Sequence, residues 1–290
     1  MKTVVKLWAI VRVSLLEMLG HPIALLLTFA SAIWVLALPM LQFQRFSEDG
    51  RMARDCGLAM AFLFGLIFVI SNASRLTRTL SNGTAAAVFV KPISRGFWIF
   101  GHCFGGILAM GIFLLVQVAV VMLAETFSPT YRLNGAYANV PALFYSMGVL
   151  LLPLFLGALN QCFLRGRFTL TALLLMPLFV WGEVLIVGVT HLWGILTGGL
   201  AIFLGLIQIA AVATAIATRC TSGLTTLLST LFVLVWAYSL NGAAYLQLDA
   251  LSMGGAIPCR TLVFLLPQTV AVMGFALWGA TGLLRHRAIS

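Results

Sequence analysis

From Pro22 to Leu41 the chain carries no charged side chain over about twenty residues, the length a helix needs to cross roughly 30 Å of hydrocarbon. Runs of the same kind recur at residues 55–74, 97–124, 140–161, 169–190, 194–218, 223–245 and 261–284. Lipid offers no hydrogen-bond partners, so each run must satisfy its own backbone, and the helix does this within a single segment. The expected fold is therefore all-α: a polytopic helical membrane protein with about eight transmembrane helices. Composition agrees. Of 290 residues, 62% are hydrophobic and 8% charged, against about 25% charged in a soluble domain.

Residues 1–20 have a different pattern from these apolar runs. Val4, Leu7, Trp8, Val11, Leu15, Met18 and Leu19 share one helical face, while Lys2, Thr3, Lys6, Ser14 and Glu17 fall mostly on the other. This predicts an amphipathic helix in the membrane interface, its lysines near anionic headgroups. A signal peptide fits less well, because the charged region is long and no small-x-small cleavage site comes after the apolar run. Gly20-His21-Pro22 breaks the helix, and residues 21–290 form the transmembrane domain.

The net charge of +10 does not point to nucleic acid, because the basic residues fall in short loops. With the N-terminus inside, Lys2, Lys6, Arg12, Arg75, Arg78, Lys91, Arg95, Arg165, Arg167, Arg219, Arg285 and Arg287 are cytoplasmic. Only Arg45, Arg51, Arg54, Arg132 and Arg260 then lie outside, together with most of the acids. The positive-inside rule thus predicts that both termini and the loop at 75–96 are cytoplasmic, and that the loops at 42–54 and 125–139 are outside. A multi-pass protein of the cell membrane, in bacteria the inner membrane, is the expected location. The five cysteines show no C-x-x-C pair, so neither a zinc site nor a disulfide framework is indicated.

The loop at 75–96 is the richest connection. Ser81-Asn82-Gly83 signals a turn, Thr84 can cap a short helix-prone run to Val90, and Lys91-Pro92 stops it. Ser94 can cap the next helix. Val88, Phe89 and Val90 supply apolar anchors on a loop too polar to enter the bilayer, which suits a helix-in-groove contact with a protein partner. Arg78, Lys91 and Arg95 can pair with acids on that partner or with lipid headgroups.

This stretch resembles the corresponding loop of type-2 permeases of ATP-binding-cassette (ABC) exporters. The resemblance rests on Asn82-Gly83-Thr84, Lys91-Pro92-Ile93-Ser94-Arg95 and Gly101-His102-Cys103-Phe104-Gly105, and extends more weakly from the N-terminus to about residue 125. A Thr218-Arg219-Cys220-Thr221-Ser222 turn also matches. Thr79 and Ser81 stand where the family usually has acids, and His102 where it usually has lysine. The resemblance implies the permease subunit of an exporter, paired with a second copy or a paralogue. It implies an ABC-type ATPase docked on Asn82, Gly83, Thr84, Val88, Phe89, Val90, Lys91, Pro92, Ser94 and Arg95, with the N-terminal helix sharing the contact. ATP and magnesium would belong to that ATPase. The family more often has six spans, which would make one pair in the second half re-entrant or atypical.

The chain itself carries no catalytic motif. A P-loop needs G-K-[ST], and none of Lys2, Lys6 and Lys91 comes after a glycine. The four histidines are far apart, and no H-E-x-x-H or G-x-S-x-G occurs. Neither enzyme activity nor a cofactor of its own is expected. Glu183 is the one acid deep in an apolar run, which makes it a candidate for the translocation path or a partnered, protonated carboxyl group. Gly101/Gly105 and Gly194/Gly198 have the spacing of helix-packing faces. Two other classes compete with the exporter. A secondary transporter would place several ionisable groups at mid-membrane, where only Glu183 is available. A non-transporting membrane assembly factor has no excluding feature.

Overall fold

The run that is most apolar by sequence becomes the axis of the molecule. In the computed structural model, which describes residues 2–41, 50–81, 94–128, 139–189, 192–238 and 259–285, nine helices form among the described residues. They are α1 (Lys2–Leu19), α2 (Pro22–Leu41), α3 (Arg51–Ser81), α4 (Arg95–Thr126), α5 (Val140–Leu164), α6 (Phe168–Val187), α7 (Leu192–Ala217), α8 (Ser222–Tyr238) and α9 (Cys259–Arg285). Seven are long and apolar enough to cross a bilayer; α8 contributes a shorter apolar stretch, Ser222–Trp236. This is a polytopic helical membrane protein, and large apolar side chains such as Leu185, Ile186, Trp193 and Trp278 stand on its outer surface.

α4 is surrounded by α1, α2, α3, α6, α7 and α9. Its own Ser94 caps it, accepting from the Phe97 N–H at 3.3 Å as the sequence predicts. α3 lies antiparallel to it. Gly57 faces Val121 near one end, and Phe68 stacks on Phe113 with ring centroids 5.6 Å apart nearer the middle. α7 approaches α4 through Gly199, where an added Cβ would meet Val118 at 2.5 Å. Of the expected Gly194/Gly198 face, Gly198 is buried within the bundle, while Gly194 has open space beside it. Gln117 of α4 donates to the Thr28 carbonyl of α2, and Trp181 of α6 donates to the Leu115 carbonyl of α4. Such interhelical bonds help hold a bundle in lipid, where apolar contact alone gives little preference for protein over acyl chain.

Several boundaries move relative to the sequence expectation. α3 does not end at Ser74 but continues to Ser81, because Ala73, Leu76, Thr77 and Leu80 continue a buried stripe at helical spacing. Residues 75–81 of the anticipated loop are thus helix. Arg54 and Glu125, assigned by their charge to loops, are buried helical residues that pair at 3.4 Å, with Asp55 also beside Arg54 at 3.5 Å. Each charge is tolerable there because its partner is supplied by the antiparallel helix.

α3 has 31 residues and α4 has 32, lengths of about 46 and 48 Å at 1.5 Å per residue. They exceed the hydrocarbon thickness by about 16 and 18 Å. The polar excess is at the end where α3 finishes and α4 begins. There α1 packs along α4 in the same direction, Ile10 against Gly101 and Ser14 against Gly105. Its buried stripe is Val11, Ser14, Met18 and Leu19; Trp8, expected on the apolar face, points away and is exposed. α5 and α6 form a hairpin closed by Arg165, which sits in the left-handed region (φ 54°) at the C-terminus of α5. α8 joins α3 and α7 where Thr77 Oγ1 meets Thr225 Oγ1 at 3.1 Å.

Candidate functional site

The expected ATPase-docking residues Asn82, Gly83, Thr84, Val88, Phe89, Val90, Lys91 and Pro92 lie outside the described residues. Ser94 and Arg95 are at the start of α4. Glu183 is on the face of α6 that meets α5, where its Oε1 accepts a short hydrogen bond from Ser146. Ser146 also bonds to the Ala142 carbonyl, so the carboxyl group sits in a small polar contact within the hairpin. Glu183 is not among the residues that line the main cavity.

That cavity, about 1150 Å³, lies between α1, the second half of α3, the first turns of α4, and α8. The local sequence explains the opening. Gly101 and Gly105 let α1 close onto α4 on one side, and Thr77 ties α3 to α8 on the other. Between these two seams the helices diverge.

The cavity is chemically two-ended. Along α3 it runs from Ile67 to Thr79, twelve residue steps or about 18 Å of helix. Ile23, Ile67 and Ile70 line one end, and Lys6, Arg75 and Arg78 line the other. Arg75 and Arg78 are three apart and so share a helix face. Neither has an ion-pair partner among the described residues. Glu17 is the one acid in the described wall. His21, in the turn between α1 and α2, also lines this space. Its Nδ1 accepts the Ile23 N–H at 3.2 Å, which leaves Nε2 to carry the proton in the neutral ring. Burial, then the charges of Arg75 and Arg78, lower its pKa from the ordinary histidine value.

Inside the wall, His102 is 9% exposed and stacks on Trp98 with centroids 5.6 Å apart. Its Nδ1 is 3.1 Å from Ser14 Oγ, and the Ser14 hydroxyl also lies 3.3 Å from the His102 carbonyl. If the hydroxyl donates to that carbonyl, Nδ1–H donates to Ser14 Oγ and Nε2 is unprotonated. His102 Nε2 has no hydrogen-bond partner among the described residues. The pair locks α1 to α4 directly behind the cavity. Sequence reasoning identified Arg75, Arg78, His102 and the Gly101/Gly105 face singly. It did not assemble them, because the walls come from segments more than two hundred residues apart.

The class of protein is thus a polytopic helical membrane protein with an amphipathic, one-end-basic cavity. No protein-family model matches the chain, and no curated protein or solved structure matches it either.

Proposed function

We propose that this chain is the transmembrane permease subunit of an ABC exporter, driven by a separate ATPase on the side where α3 ends and α4 begins. The observation that carries the reading is the pair of overlong helices flanking residues 82–93, with α1 braced against α4 at their base. A partner that engaged the intervening stretch would act directly on two helices continuous with the membrane core. ATP can bias a permease only through contacts that differ between its states, and a rigid helical extension provides such a handle. The Lys/Arg asymmetry supports a cytoplasmic location for this end and for both termini, with bacterial inner membrane as the setting. A second permease copy or a paralogue would complete the translocation path. Magnesium and ATP would be bound by the ATPase.

The experiment is affinity purification of the tagged full-length chain from its native membrane, with identification of a co-purifying P-loop ATPase. Phe89→Asp should leave the protein inserted, yet lose the ATPase or uncouple ATP hydrolysis from transport. A chain that recovers no ATPase, or a Phe89→Asp variant that keeps both partner and coupling, would overturn the reading.

A further inference from the structure

We propose that the cavity between α1, α3, α4 and α8 binds an anionic amphiphile: an acyl chain bearing a phosphate or carboxylate headgroup. As the transported substrate class this rests on the exporter reading; as a binding site it does not.

The charge pattern selects the headgroup. Arg75 and Arg78 present two guanidinium groups from one face of α3, and Lys6 adds an ammonium group from α1. Arginine forks match the geometry of phosphate and carboxylate oxygens, and these two have no ion pair among the described residues. A cationic or zwitterionic headgroup would gain little from three positive charges facing one acid, Glu17.

The opposite end selects the tail. Ile23 and Ile67 are 45% and 51% exposed, so the apolar end opens sideways onto the lipid-facing surface and not into a closed interior. The α8 wall is also less polar than its sequence indicates. The Thr226 and Thr230 hydroxyls each donate to carbonyls of their own helix, which leaves them no proton to donate to an anionic ligand. A water-soluble anion would leave this surface unused, and a neutral lipid would leave the arginines unused. An amphiphile entering from the bilayer uses both, with headgroup and tail separated along about 18 Å of α3.

The test uses the purified full-length chain in lipid nanodiscs. The probe is a phosphatidic acid with a photoreactive diazirine near the end of one acyl chain, and adducts are mapped by mass spectrometry. Labelling is expected at Ile67 and Ile70 at sub-stoichiometric probe. Excess dodecyl phosphate should displace it, while dodecyltrimethylammonium or inorganic phosphate should not. Arg75→Gln/Arg78→Gln should reduce labelling by roughly tenfold, the effect of losing charge-assisted bonds, and Arg75→Lys/Arg78→Lys should restore part of it. Ile70→Trp, which fills the apolar end, should reduce it as well. Adducts at Leu185 and Ile186, exposed on α6, report ordinary surrounding lipid and should not change, which shows that the variants remain folded and inserted. Equal displacement by the ammonium amphiphile would overturn the proposal. So would displacement by inorganic phosphate, or labelling at Ile67 that tracks labelling at Leu185 in every variant. ATPase recovery is read separately, in the affinity purification from native membrane, so a failed cavity and a failed exporter reading give different results.

Discussion

Gly105 is the residue at which the packing of α1 depends most on having no side chain. An added Cβ would lie 2.7 Å from Ser14 Cβ and 3.0 Å from the Leu15 backbone nitrogen, and backbone cannot turn aside. Gly105→Val is therefore expected to push α1 off α4, at a cost of about 1–3 kcal/mol. Hydrogen exchange should show faster exchange at α1 amides, with α7 amides unchanged. Gly101→Ala should be milder, since the nearest atom is Cγ2 of the Ile10 side chain. The glycine pair was legible in the sequence from its spacing, and its partner was not: nothing in residues 101–105 indicates that the neighbour is α1. Glu183 illustrates the same limit. Its rarity made it visible, but only the fold shows that Ser146, on the preceding helix, meets it.

At the scale of elements, the antiparallel α3–α4 pair has its ionic contact at one end. Arg54 and Glu125 are both at most 6% exposed. Removing one member of a buried pair leaves the other charge without its compensation, a loss of about 3–5 kcal/mol in enclosed sites. Here Asp55 also contacts Arg54, so the two single variants should differ. Glu125→Ala leaves Arg54 an anion nearby, whereas Arg54→Ala removes the cation from two carboxylates. Thermal melting in detergent should rank Arg54→Ala as the less stable. The double variant Arg54→Met/Glu125→Leu should recover much of the loss. The positions of all the long helices were legible, because strongly apolar runs of bilayer length have few alternatives. Their ends were not. Charge in a flanking segment reads as loop until a partner 71 residues away is known, and the stripe at Ala73, Leu76, Thr77 and Leu80 is diluted by the basic residues around it.

Over the whole molecule, the positive-inside rule predicts an orientation that can be tested without any assay of function. On a cysteine-free background, Ser47→Cys should react with a membrane-impermeant thiol reagent added from outside. Reaction only from the cytoplasmic side would reverse the orientation. The cavity belongs to this scale as well. Its walls come from five helices, and only tertiary packing brings Lys6, Arg75 and Thr230 around one space. The Arg54–Glu125 contact ties α4 to α3 near one end. Glu125 and Arg95 are 30 residues apart, about 45 Å of rod. With that end held, a sideways shift of about 4 Å at Arg95 is a tilt of only about 5°. Such a swing changes spacings least beside Glu125 and most at the wall formed by Trp98 and His102, where the cavity lies.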